Sequence, residues 1–174
     1  ARARRVARAL DRLGLAFSDR VGTLAWNGYR HFELYYGISG MGAVCHTINP
    51  RLFPEQIVYI VNHAEDQLLF VDLNLLPAVE KLLPQMKGVR HVVAMTDRAH
   101  MPESRLNLLC YEELLAGESV DEPWADLPET APAGLCYTSG TTGLPVSAAR
   151  RMMPCAPPGG HWLMPASPDV TASA

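Results

Sequence analysis

Segments with helical spacing of apolar residues alternate with short apolar runs along this chain, and this alternation limits how the chain can fold. The segments with helical spacing are 2–15, 29–41, 54–63 and 75–83. The short apolar runs typical of strands are 21–26, 43–47, 67–71 and 89–96. Strands that are joined through helices pack as a parallel sheet with helices on its faces. The sequence therefore predicts an α/β fold with a mainly parallel sheet and flanking helices.

Composition narrows the class of protein. A chain of 174 residues is long enough for one domain that buries roughly 70% of its unfolded surface. The formal net charge of −3 argues against a nucleic-acid partner. No apolar run approaches the ~20 residues that a transmembrane segment needs. The four cysteines are widely spaced, without Cys-x-x-Cys or zinc-ligand spacing, so we expect reduced thiols in a cytoplasmic protein without a metal site.

A run rich in hydroxyl groups and glycine follows the apolar residues 135–137. Residues 137–145 read Tyr-Thr-Ser-Gly-Thr-Thr-Gly-Leu-Pro. Glycine lets backbone N–H groups turn toward an anion, and Ser and Thr hydroxyls add further donors. A polar turn is the simpler interpretation of a short cluster of this kind. The dense hydroxyls after a strand pattern favour a phosphate-binding loop, although the spacing is not that of a Walker A motif.

This run resembles the phosphate loop of the adenylate-forming (AMP-binding) enzymes, Tyr-Thr-Ser-Gly-Thr-Thr-Gly-x-Pro-Lys-Gly. Upstream residues are similar to N-terminal landmarks of the acyl-CoA synthetase branch. They are Asp19–Val21, Trp26–Asn27, Glu33, Gly42–Val44 and Asn49–Leu52. The stretch from His46 to Leu52 looks most similar to medium- and long-chain fatty-acid–CoA ligases. The resemblance covers residues 1–145, so the fold it implies is a truncated part of the N-terminal adenylate-forming domain.

The resemblance implies an ATP-dependent ligase that activates a fatty acid or related carboxylate as an acyl-adenylate and then transfers it to coenzyme A. ATP, Mg²⁺ and coenzyme A are the implied cofactors of the complete enzyme. The loop would bind the phosphates with Mg²⁺ and stabilise charge on the departing pyrophosphate. The resemblance assigns no catalytic residue and no metal ligand to this chain. The implied nucleotide-binding residues are Thr138, Ser139, Gly140, Thr141, Thr142 and Gly143.

The family pattern ends at Val146, where the family has lysine and then glycine. From Ser147 onward the chain has no lysine, one acidic residue, Asp169, and five prolines from Pro154 to Pro168. We therefore divide the chain into a partial AMP-binding domain, 1–145, and a tail, 146–174. A low-complexity linker is one interpretation of the tail. A reading-frame shift near codon 146 is our preferred hypothesis, and in both cases we expect the tail to be disordered.

The pieces of family machinery that follow the phosphate loop are absent from this sequence, including a C-terminal domain with its catalytic lysine. We therefore expect the chain alone to be inactive. The alternative is a non-enzymatic α/β module that binds a nucleotide or a partner, or the product of a decayed gene. If the sheet normally packs against a second subdomain, the isolated chain should expose apolar surface and self-associate.

Four features have competing interpretations. Asp72 could be catalytic, but a cap on the following helix is favoured. His46, near Asn49 and Arg51, could contact substrate, although a structural role at a turn is favoured. The glycines around Met41 indicate close packing rather than nucleotide binding. The arginines of helix 2–15 are typical of the solvated face of a packed helix, and a helix lying on anionic lipid is the alternative.

Overall fold

The computed structural model describes residues 1–120, 123–139 and 145–151. Its strands form one sheet of seven strands in the order β5-β4-β3-β1-β2-β6-β7. Six of them are parallel, and β7 runs antiparallel to β6. The strands are β1 Arg20–Leu24, β2 Val44–Ile48, β3 Leu68–Val71, β4 His91–Ala94, β5 Leu108–Cys110, β6 Pro132–Ser139 and β7 Pro145–Arg151. The predicted α/β fold with a mainly parallel sheet is thereby confirmed.

Helices cover both faces of this sheet. They are α1 Arg2–Arg12, α2 Tyr29–Gly40, α3 Pro54–Ala64, α4 Leu76–Leu82 and α5 Tyr111–Ala116. On one face, α1, α2 and α5 bury apolar side chains against Val21 and Phe70. On the other face, α3 and α4 pack against Leu24 and Val71. Because successive strand residues point to opposite faces, the central strands β1 and β3 bury residues on both faces of the sheet.

Local sequence signals explain where the helices begin and end. Pro54 begins α3, and Phe53 N–H donates to the side chain of Gln56 at 3.1 Å, which fixes the first turn. The helix ends at Glu65, which adopts the left-handed conformation with φ 55°. This places Asp66 at the start of the buried turn into β3. No helix in the described ranges is long and apolar enough to cross a membrane.

Helix α1 is packed rather than free. Val6, Ala9 and Leu10 are buried, while arginines on other faces reach carboxylates of neighbouring segments. Arg2 Nε lies 2.6 Å from Glu33, and Arg12 Nε lies 2.7 Å from Glu118. The packed-helix interpretation is therefore confirmed, with two of its arginines paired to protein carboxylates.

Three glycines on or beside α2 permit the close packing that the sequence indicated. A Cβ at Gly37 would lie 2.5 Å from Val6, and one at Gly40 would lie 2.4 Å from the Trp124 ring. Gly42 has φ +87° and packs against Phe17. The glycines around Met41 serve packing and a turn.

Sequence reasoning missed β5 and α5, because it predicted a loop over 97–107 and an irregular connection over 116–133 and assigned no element to the residues between them. Both elements are short, and β5 is defined by its pairing with β4, from Val92 with Leu108 to Ala94 with Cys110. Neither is long enough to show a period.

The expectation for the tail differs from the structure at its first residues. Residues 145–151 form β7, which pairs with β6 from Ser139–Pro145 to Pro132–Arg151. The pairing runs past the position at which the family pattern ends, as far as Arg151. Residues 145–151 form a strand because their backbone groups pair with β6, and the sequence of the segment alone does not indicate this pairing. Residues 152–174 lie outside the described residues, so disorder there stays a prediction.

Candidate functional site

The predicted phosphate loop begins at the end of β6. Thr138 is opposite Val146, and Ser139 is opposite Pro145, so β6 ends beside the start of β7. Because β6 runs parallel to β2, its last residues, Thr138 and Ser139, lie at the carboxyl edge of the parallel strands. Open α/β sheets place their ligands outside this edge.

Of the six predicted phosphate-binding residues, the structure describes the two that end β6, Thr138 and Ser139. Thr138 is exposed at the end of β6, and the backbone of Ser139 is the last paired position. The remaining predicted phosphate-binding residues, Gly140, Thr141, Thr142 and Gly143, lie outside the described residues. The assignment of all six residues therefore stays a prediction.

Tyr137 lies directly before these residues and contacts two histidines. Its hydroxyl group is 2.7 Å from Nδ1 of His63, on α3. Its ring centroid is 5.2 Å from that of His46, on β2. Partial burial raises the pKa of Tyr137, and the nearby negative charge of Asp66 acts in the same direction. Tyr137 thus joins β6 to α3 and to β2 beside the loop.

His46 and Asp66 form a fully buried pair beneath Tyr137. His46 Nδ1 lies 2.6 Å from Asp66 Oδ2, and both side chains are 0% exposed. Burial raises the pKa of Asp66, while the hydrogen bond and charge of His46 oppose that rise. Within the described part of the chain, His46 Nε2 and Asp66 Oδ1 lack hydrogen-bond partners. Buried polar atoms of this kind call for a structural or functional reason.

His46 lies within β2 rather than in the turn where its structural role was expected. Asn49 shapes the turn after β2, since its Oδ1 accepts from Arg51 N–H at 3.0 Å. His46 instead pairs with Asp66, which sequence reasoning did not single out. The pairing brings together residues of β2 and of the turn before β3, and these strands are not neighbours in the sheet. No local pattern signals a contact of this kind.

Asp72 does not cap the helix that follows it, and the sequence prediction was wrong here. Its side chain makes no capping hydrogen bond. Asp72 Oδ2 instead accepts from Trp26 N–H at 2.7 Å, which ties the end of β3 to the end of β1. The next turn, Leu73–Leu75, is a 3₁₀ turn, whose geometry differs from that of an α-helical N-terminus.

His31 stabilises the same end of β1. Its Nδ1 lies 3.2 Å from Trp26 O, and its Nε2 lies 3.0 Å from Thr23 Oγ1. Burial lowers the pKa of His31. A neutral imidazole can donate from one nitrogen and accept at the other, which suits these two contacts.

Residues 1–120, 123–139 and 145–151 contain no candidate metal site built from side chains alone. They contain no group of at least three His, Cys, Asp or Glu side chains that could hold an ion. Mg²⁺ in nucleotide sites is held largely by phosphate oxygens and water with one or two carboxylates.

Comparison with known proteins agrees with this arrangement. The family model described as AMP-binding enzyme matches residues 1–147. The chain is 51% identical over 146 residues to 3-methylmercaptopropionyl-CoA ligase of Ruegeria lacuscaerulensis, covering 83% of this chain and 27% of the relative. It is 45% identical over 145 residues to medium-chain-fatty-acid–CoA ligase of Ectopseudomonas oleovorans, covering 83% and 27%. It is 51% identical over 144 residues to long-chain-fatty-acid–CoA ligase of Thermus thermophilus, covering 83% and 25%.

Solved structures show the same fold. The crystal structure of the anthranilate–CoA ligase AuaEII in complex with anthranoyl-AMP aligns with a TM-score of 0.79 at 25% identity, over 86% of this chain and 28% of that one. The fatty acyl-CoA synthetase of Mycobacterium tuberculosis aligns with a TM-score of 0.71 at 24% identity, over 86% and 27%. The chain spans about a quarter of the length of the curated relatives it matches. On the family match, the sequence identities and the shared fold, this chain belongs to the AMP-binding enzyme family.

Proposed function

We propose that this chain is the part of an ATP-dependent acid–CoA ligase that carries the phosphate loop, and that the β6–β7 hairpin binds the phosphates of ATP. The observation that carries the proposal is the position of the hydroxyl-rich run. It follows β6 at the carboxyl edge of a parallel sheet, in a chain 45% to 51% identical to relatives named as CoA ligases.

The chemistry of this run suits phosphate. Thr138 ends β6 with an exposed side chain, and three further hydroxyl groups follow within four residues. Each hydrogen bond to a phosphate oxygen contributes about 1.5–3 kcal/mol. Gly140 and Gly143 leave room for the backbone to approach the anion. Mg²⁺, when bound with the phosphates, would neutralise part of their charge.

The proposed acid is a fatty acid or a related carboxylate. The relatives named above act, by their names, on a methylthio-substituted short acid, medium-chain fatty acids and long-chain fatty acids. What these acids share is a carboxylate attached to an aliphatic chain. The proposal is therefore made at that level, and coenzyme A is the proposed acceptor of the acyl group.

We propose further that the chain alone does not form acyl-adenylate at a useful rate. Val146 stands where the family pattern has lysine, and the only lysines are Lys81 and Lys87. Losing one preorganised charge-stabilising donor costs about 10²–10³ in rate. The matched segment is also about a quarter of the length of ligases in the family. A non-enzymatic module is not favoured, since the relatives compared above are ligases.

Two measurements test these statements. Binding of magnesium pyrophosphate to the chain is measured by calorimetry, beside Gly140→Asp, whose carboxylate repels phosphate, and Val146→Lys. We expect weak binding by the unmodified chain, loss of binding in Gly140→Asp and tighter binding in Val146→Lys. If the unmodified chain and Gly140→Asp bound magnesium pyrophosphate with equal affinity, the proposal that this loop binds phosphate would be wrong.

The second measurement is fatty-acid-dependent exchange between ATP and pyrophosphate. We expect none from the unmodified chain and none from Val146→Lys. Exchange that depends on fatty acid and disappears in Gly140→Asp would show that this chain suffices for the chemistry.

A further inference from the structure

Tyr137 lies between a surface histidine and a buried one. Its hydroxyl group meets His63 Nδ1 at 2.7 Å, and its ring is packed edge-on against the His63 ring, with centroids 5.7 Å apart. Its other neighbour is His46, at 5.2 Å between centroids. Tyr59 also stacks on the His63 ring, with centroids 5.5 Å apart. These contacts hold the tyrosine from α3 and β2 at once.

A glycine in β1 lies beside the buried His46–Asp66 pair. Gly22 is directly opposite His46 in the β1–β2 register. A Cβ at this glycine would lie 2.4 Å from a methyl group of Leu69 and 3.0 Å from Asp66 Oδ2. Leu69 and Asp66 therefore occupy the space that a side chain at position 22 would take. His46 in turn presents its ring to Tyr137.

Tyr137 is also the last described side chain on its face of β6 before the loop. Alternate strand residues point to opposite faces, so Thr138 projects away from the α3 face that Tyr137 contacts. Fixing the tyrosine therefore fixes the end of β6 on which Thr138 lies. Displacement of a binding group by about 1 Å can cost much of its effect, so a rigid support matters.

We propose that Tyr137 is a positioning residue for phosphate binding, held by its hydrogen bond to His63 and by ring contact with the buried His46–Asp66 pair. The inference rests on the proposed function of the β6–β7 loop. Tyr137 acts through the strand, and its hydroxyl group is engaged by His63 rather than offered to a ligand. Loss of the hydrogen bond loosens the end of β6 and so the position of the Thr138 hydroxyl group.

A double-mutant cycle tests this role, with magnesium pyrophosphate as the probe and affinity measured by calorimetry. The variants are Tyr137→Phe, His63→Ala and the two combined. We expect each single change to weaken binding about 2–10-fold, which corresponds to one hydrogen bond. We expect the combined variant to bind no more weakly than the weaker single variant, because both changes remove the same bond.

Two further variants separate positioning from a general loss of stability. His63→Asn keeps a polar group near the place of Nδ1, and we expect it to restore at least half of the affinity lost in His63→Ala. Tyr111→Phe removes a hydrogen bond to Glu33 on the opposite face of the sheet. We expect it to lower the melting temperature without changing pyrophosphate affinity. Thermal unfolding of every variant confirms that it is folded.

The outcomes are distinct. Unchanged affinity in Tyr137→Phe, or losses that simply add in the combined variant, would overturn the positioning role and leave the phosphate loop standing. An affinity loss in Tyr111→Phe equal to that in Tyr137→Phe would also overturn it. Absence of pyrophosphate binding by the unmodified chain, or equal binding by Gly140→Asp, would overturn the proposed function and this inference with it.

Discussion

His46 Nδ1 lies 2.6 Å from Asp66 Oδ2, with both side chains completely buried in the face of the sheet that α3 covers. A buried pair of this kind adds little stability relative to an apolar pair, but breaking it leaves a buried polar group without a partner. The pair therefore fixes the arrangement of β2 and the turn before β3.

Replacing His46 by Ala should destabilise the protein by about 3–5 kcal/mol at neutral pH. Burial already raises the pKa of Asp66, and the variant removes the group that opposes this rise. An acid with a raised folded pKa contributes most below its unfolded pKa, and that contribution is lost as pH rises through the folded pKa. The loss of unfolding free energy in the variant should therefore grow with pH between two values: the pKa of Asp66 in the wild type and its higher pKa in the variant. Denaturant unfolding at several pH values measures this.

His100→Ala is the matched control. His100 Nδ1 also lies 2.6 Å from an aspartate, Asp97, but both side chains are largely exposed. Water screens this pair, so unfolding should be nearly unchanged. A His46→Ala variant as stable as His100→Ala would contradict the importance of the buried pair.

Glu112→Gln should weaken the junction of α1, α2 and α5. The carboxylate accepts from Arg2 at 3.0 Å and from Arg30 at 2.9 Å. Partial burial alone would raise its pKa, but the hydrogen bonds from Arg30 and Arg2 outweigh burial and lower it. Stability from a lowered pKa is present above the unfolded pKa and is lost as pH falls through the folded pKa.

We therefore expect Glu112→Gln to cost about 1 kcal/mol at neutral pH, decreasing in strong acid and in high salt. Urea unfolding at several pH values measures this. A deficit that grows toward low pH would show that the ion pairs are not its cause.

Gly37→Ala should destabilise the protein although alanine favours helix. A Cβ at this position would lie 2.5 Å from Val6 and 2.9 Å from the carbonyl oxygen of Ala3. Overpacking costs about 1–3 kcal/mol, which exceeds the gain of about 1 kcal/mol in helix propensity. Gly117→Ala, with no atom within 4 Å of the new Cβ, should leave the melting temperature nearly unchanged. Equal melting temperatures for both variants would contradict the close approach of α1 and α2.

Cysteine reactivity should follow burial. Burial raises the pKa of Cys45 to about 12, whereas Cys136 is only half-buried. The thiolate is the reactive form. Iodoacetamide at pH 8 should therefore label Cys136 in the folded protein and Cys45 only after denaturation, as read by peptide mass spectrometry. Labelling of Cys45 at the rate of Cys136 would show that the α2 face opens readily.

The sequence led us to expect self-association through exposed apolar surface of the sheet, and the structure offers a different surface for it, the aromatic outer face of α2. Phe32 and Tyr36 are 63% and 56% exposed, and their rings contact each other at 5.0 Å. Exposed apolar patches favour association. The sedimentation coefficient should rise with concentration, and the variant carrying both Phe32→Ser and Tyr36→Ser should remain at the monomer value. Phe53→Ser, at an exposed aromatic outside α2, should behave like the unmodified chain.

The sequence alone was sufficient to predict features that depend on residues close together in the chain. The helix predicted over 54–63, from proline at the first turn and the spacing of Ile57, Ile60 and Val61, is present as Pro54–Ala64. The helix–strand alternation predicted a parallel sheet, and the hydroxyl-rich run pointed to the family. These signals lie within single segments, where a local period or motif can be read directly.

Tertiary structure alone decided the contacts between segments. It paired His46 with Asp66, turned Asp72 toward Trp26 instead of its own helix, and made a strand of Leu108–Cys110 through pairing with β4. It also extended pairing with β6 through Arg151, past the end of the family pattern. Each outcome depends on strand order and on which groups lose water together, and these are properties of the assembled sheet rather than of any local run of residues.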